Sequence, residues 1–83
     1  MKKEFSNVSD EEIINFYKKI SQNIRNLREN TGMSQLDLAL EIGIKSVAFY
    51  SNCENNRYGK HFNLEHIYKI SKALNVAIKD IIK

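Results

Sequence analysis

The sequence predicts an all-α fold, one compact domain of five helices, and three observations carry that expectation. The 83 residues hold no proline and only three glycines, so the chain is poor in the residues that interrupt helices. Apolar residues recur at spacings of three and four rather than two. Polar residues that cap helices stand at the starts of those apolar runs. Hydrophobic residues make up 42% and charged residues 28%, a globular balance in a chain near the lower size limit for a self-sufficient core.

Each helix has its own signals. Helix one is expected over residues 10–29, with Ile13, Phe16, Tyr17, Ile20, Ile24 and Leu27 as its stripe. Ser9 and Glu12 have capping-box spacing, and Asp10, Glu11 and Glu12 suit the positive end of the dipole. Asn30, Thr31 and Gly32 should stop it. Helix two, residues 35–42, starts at the cap Ser34, carries Leu36, Leu38, Ala39, Leu40 and Ile42, and ends at Gly43. Helix three, residues 47–54, is capped by Ser46. "NNRYGKHF" then reads as a polar, basic loop in which Tyr58 and Phe62 are packing residues. Helix four, residues 64–74, is capped by Asn63 and places Leu64, Ile67, Tyr68, Ile70, Ser71 and Leu74 on one face. Asn75 breaks it. Helix five, residues 78–82, closes the core with Val76, Ile78, Ile81 and Ile82. Residues 1–19 form an extension leading into helix one, and residues 20–83 form the domain proper. Phe5, Val8, Ile13, Phe16 and Tyr17 of the extension are expected to fold back on the core, the alternative being a partner or dimer surface.

Several functional classes are disfavoured. No apolar run reaches the roughly 18 residues of a membrane span. "MKKEFSNVSDEE" has no apolar signal-peptide core, and a single cysteine, Cys53, allows no internal disulfide, so a cytoplasmic location is expected. Cys53, His61 and His66 lack zinc-ligand spacing, so no metal and no cofactor are expected. The carboxylates are scattered, no nucleophile has a recognisable base, and there is no Gly-rich phosphate loop, so the chain reads as a non-enzyme. Charge is lopsided. Residues 1–44 carry six Lys/Arg against seven Asp/Glu, and residues 45–83 carry seven against three. A basic half suits a polyanion partner, the alternative being a solvated surface.

Helices two and three are short and joined by the turn Gly43–Lys45. Ala39, one turn before Gly43, is small enough for the two to cross closely. That is the sequence shape of a helix-turn-helix, with an ordinary helical corner as the alternative.

Three spaced motifs go further. "IRNLREN.GMSQLDLALEIGI" (24–44), "CEN" (53–55) and "NLEHIYKISKALNV" (63–76) resemble the Cro/C1-type helix-turn-helix family of phage repressors, also called the xenobiotic-response-element family. The resemblance covers residues 20–82. It implies a five-helix repressor-like fold, double-stranded DNA binding, transcriptional control and a dimer. One departure is plain: there is one more residue between Gly43 and Glu54 than that family usually has.

In such motifs the second helix lies in the major groove with its N-terminal residues at base edges. Counted back from Glu54, the groove-facing residues are Ser46, Val47, Ala48, Phe49 and Asn52, with Tyr50 and Cys53 inward. Alternatively Val47 and Phe49 are core, and Ala48, Ser51 and Asn52 face the groove. Asn52 is the best base reader, because its amide can pair bidentately with adenine. Gln35, Lys45, Phe49, Asn55, Arg57 and Lys60 are the candidates for contacts to the DNA backbone. The resemblance also implies an ion pair between Arg28 and Glu54. The partner expected is an inverted-repeat duplex read by a homodimer. Other readings on the same fold are an antitoxin, which would bind a toxin as well, and a protein-interaction module.

Overall fold

The computed structural model describes residues 7–83. Phe5 of the extension lies outside them. The element order is α1 (Asp10–Asn30), α2 (Gln35–Glu41), α3 (Val47–Asn55), a 3₁₀ turn (Arg57–Gly59), α4 (Leu64–Leu74) and α5 (Ile78–Ile82). No strand occurs among the described residues. The five helices match the sequence expectation to within one residue at each end.

The caps explain the boundaries. The Ser9 hydroxyl accepts the Glu12 N–H while the Glu12 carboxylate accepts the Ser9 N–H, closing the capping box. Ser34, Ser46 and Asn63 each accept the N–H three residues on, so orphan donors of α2, α3 and α4 are satisfied. His66 completes a second box, its Nδ1 accepting the Asn63 N–H at 3.1 Å. At the end of α2, the Gly43 N–H bonds the Leu40 carbonyl and the Ile44 N–H bonds the Ala39 carbonyl. This Schellman geometry needs a left-handed residue, and Gly43 has φ +82°. Asn75 ends α4 in the same way at φ +56°.

The core gathers residues from every helix. Ile24, Leu38, Ala39, Tyr50, Cys53, Ile70 and Ile81 are fully buried, and Ile20, Ile42, Phe62, Ile67 and Leu74 nearly so. Polar bonds tie the layers together. The Ser21 hydroxyl donates to the Cys53 carbonyl, joining α1 to α3. Asn23 Nδ2 donates to the Ile81 carbonyl at 2.8 Å, anchoring the five-residue α5 to α1.

Four packing expectations are corrected. Tyr58 is 84% exposed, because the left-handed backbone at Asn56, Tyr58 and Gly59 turns its ring outward. Phe62 alone fills the core position there, its ring 5.3 Å from that of Tyr50. Leu64 and Tyr68 are exposed on α4: Leu64 continues the buried line of Ile67, Ser71 and Leu74 but is the first residue of the helix, and Tyr68 lies beside that line. In α5 only Ile81 is buried; Ile78 and Ile82 are 41% and 47% exposed. Finally, the described part of the extension before Tyr17, residues 7–16, does not fold back. Residues 10–19 belong to the unbroken α1, which has no hinge, and Val8, Ile13 and Phe16 are exposed. Tyr17 does make an inward contact, stacking on the His61 ring at 3.7 Å.

Candidate nucleic-acid interface

The interface is built on α3. Its inward line is Tyr50, Cys53 and Glu54, all buried. Its outward line holds Val47 and Ala48, exposed, and Ser51, Asn52 and Asn55, half-buried. The two residues on which the sequence-based registers differ, Val47 and Phe49, have different surroundings. Val47, 41% exposed, belongs to the outward face, whereas Phe49 is half-buried, packed against the core and edge-on to His66. The Phe49 ring is thus a wedge under α3, and a hydrocarbon ring itself offers no donor to a phosphate. Ser46 is the N-cap, its hydroxyl committed to the Phe49 N–H at 3.2 Å. The Asn52 amide has no hydrogen-bond partner among the described residues, which leaves both its donor and its acceptor available.

What aims α3 is a buried carboxylate. Glu54 has a side chain of 0% exposure. Its Oε2 accepts Arg28 Nε at 2.9 Å and the Tyr50 hydroxyl at 2.7 Å. Its Oε1 accepts Arg28 Nη2 at 3.0 Å and Gln35 Nε2 at 2.9 Å. The Arg28 pair is therefore bidentate, the geometry in which a guanidinium fork fits a carboxylate best. Arg28 Nη1 also donates to the Met33 carbonyl at 2.8 Å, so one side chain pins α1, the entry to α2 and the end of α3. Arg25, one turn earlier on α1, adds a contact of 3.5 Å to Glu54 and donates to the Asn55 amide oxygen. Burial opposes ionisation of Glu54, but the bonds from Arg28, Gln35 and Tyr50 outweigh it and hold its carboxyl below the usual value. The bond to Glu54 raises Arg28, against the cost of burying the guanidinium. Burial, then the bond to the carboxylate, pushes the Tyr50 hydroxyl up. At neutral pH the cluster is thus an ionised pair with a neutral phenol donor.

Placement of the backbone-contact candidates divides in two. Lys45, Arg57 and Lys60 are exposed, with no side-chain partner among the described residues. Gln35 and Asn55 are engaged. The Gln35 amide is a strut beneath Glu54, and Asn55 Nδ2 donates to the Ser51 carbonyl at 2.9 Å while its oxygen holds Arg25. Sequence reasoning missed Arg25 and the buried ends of Gln35 and Tyr50. The usable signal for Arg25 was its position three residues before Arg28, on the same face of α1.

A helix-turn-helix family model matches residues 24–81, which span α2, α3 and every residue of the Glu54 cluster. The chain belongs to the Cro/C1-type helix-turn-helix family. No curated protein and no solved structure matches it. Membership makes this a DNA-binding, transcription-regulator-like domain, and the clustered bonds on Glu54 are what this member uses to fix its second motif helix. Among the described residues no helix is long and apolar enough to cross a membrane, and no group of three or more His, Cys, Asp or Glu side chains could hold a metal ion.

Proposed function

We propose that this helix-turn-helix protein is a sequence-specific transcriptional regulator that works as a repressor, bound as a homodimer to an inverted repeat. The observation that carries the reading is the outward face of α3: small or apolar side chains at Val47, Ala48 and Ser51 beside the unengaged amide of Asn52, on a helix locked from behind through Glu54. A major groove about 12 Å wide admits a helix with such short side chains closely. Val47 and Ala48 suit thymine methyl groups, and Asn52 suits the adenine edge. Ser46, at the helix start, can still donate its hydroxyl proton beside them while its oxygen caps the Phe49 N–H. Arg57, Lys60 and Lys45 flank α3 and suit phosphates, which position the protein without reading sequence. In this reading the dimer represses by occupying a promoter and excluding other proteins from it.

The test is selection of genomic duplexes by the full chain at moderate salt. Recovery of one inverted repeat, with half-sites about 34 Å apart, is the expected result. Recovery of no preferred sequence overturns the reading and favours a protein-interaction module.

A further inference from the structure

The N-terminal half of α1 leaves an apolar stripe uncovered. Ile13 is 43% and Phe16 53% exposed, yet both continue the line of Ile20 and Ile24, which are buried. Because α1 is unbroken, its first ten residues run on for about 15 Å with this core-facing stripe. The stripe borders a groove that includes Phe16, Ile20, Phe62, Leu64, Ile67 and Ile82, of which Leu64 is 84% and Ile82 47% exposed.

The charges beside the stripe say what covers it. Glu12 and Lys19 lie seven residues, two turns, apart and so on the same flank of the Ile13–Phe16 line. Glu12 is at the acidic start of α1, where Asp10 and Glu11 also sit. Lys19 is exposed, with no partner among the described residues. A segment whose charge reverses from one end to the other complements itself only when two copies run antiparallel, and a two-fold axis generates that arrangement.

We propose that a second copy of this chain docks here, the two α1 segments crossing antiparallel about an axis near residues 14 and 15. Ile13 of each copy meets Phe16 of the other, and Glu12 of each faces Lys19 of the other. The Leu64 and Ile82 surfaces beside Phe16 extend the contact toward the roughly 800 Å² per partner that a stable dimer buries, which a ten-residue helix pair alone does not reach. This surface rests on the homodimer in the proposed function and gives that dimer its interface.

Sedimentation equilibrium of the full chain tests it, with four samples: the unaltered protein, Phe16→Glu, Lys19→Glu, and Glu12→Lys. The unaltered protein is expected to be dimeric. Phe16→Glu should weaken the dimer at least about 100-fold, since it places a carboxylate in both symmetry-related apolar contacts. Lys19→Glu and Glu12→Lys should each weaken self-association about tenfold, because each sets like charges opposite each other twice. Mixed in equal amounts, the two charge variants should regain the dimer, an outcome that loss of folding or of the Glu12 cap cannot produce. A monomeric unaltered protein overturns both this surface and the homodimer. A dimer that survives Phe16→Glu, or charge variants that mixing does not rescue, overturns this surface alone and leaves the homodimer standing.

Discussion

The Glu54 carboxylate accepts bonds from Arg28, Gln35 and Tyr50, and removing one partner leaves the rest committed to a charge that water does not reach. Burying both ions costs several kcal/mol, so the net contribution of the pair to stability is small. A single truncation is different, because it strands the other ion. Arg28→Ala or Glu54→Ala should each destabilise by about 3–5 kcal/mol, read by urea denaturation. Near-neutral variants would mean that the ions are solvated in solution. The exposed cations behave otherwise. Arg57→Ala and Lys60→Ala should each weaken binding to every duplex alike and reduce the slope of log affinity against log salt by about one. A phosphate is the same beside every base, so a contact to it carries no sequence preference. A change in base preference in either variant would place that side chain in the groove instead.

At the scale of elements, α4 carries a pH sensitivity in its first turn. His66 Nδ1 accepts the Asn63 N–H, which requires an unprotonated nitrogen. Burial is the main cause that lowers His66, and the folded protein therefore favours the neutral ring. An imidazole lowered on folding contributes stability that is complete above its unfolded value of about 6.5 and declines as pH falls below it. The melting temperature should drop as pH is lowered from about 6.5, and His66→Gln, which keeps a neutral acceptor there, should remove that drop. Equal pH profiles for the two proteins would contradict this. Glu54 adds a second loss at lower pH, because a lowered carboxyl stabilises above its unfolded value and ceases to do so as pH falls through the folded one. The helices themselves were legible in the sequence, because caps and chain breakers act within one turn: Ser9, Ser34, Ser46, Asn63 and Gly43 each sit where local spacing put them. Burial at the margins was not. Leu64, Tyr68 and Ile82 are apolar at helical spacing, yet whether a neighbouring element reaches them depends on tertiary geometry that periodicity does not contain. Tyr58 was misplaced for a related reason, since nothing local marks a tyrosine for a left-handed turn. The ion pair was legible only through resemblance; its further partners Gln35, Tyr50 and Arg25 come from three separate helices.

At the scale of the whole molecule, the fold divides labour between two ends of one helix. The C-terminal part of α1 supplies Arg25 and Arg28 to the lock on α3, and its N-terminal part presents Ile13 and Phe16 away from that lock. A homodimer joined through that part would link two reading helices by rigid elements, which is what a fixed half-site spacing demands. Whether α3 reads bases from its outward face is decided by the affinities of the unaltered protein and of Asn52→Ala for the selected site and for each of its single-base variants. Asn52→Ala should lose about 1–3 kcal/mol on the selected site and lose its preference at one base pair per half-site, with preferences elsewhere intact. If Asn52→Ala leaves every preference unchanged, and substitutions at Ser51 and Ala48 do so too, α3 is not the reading element.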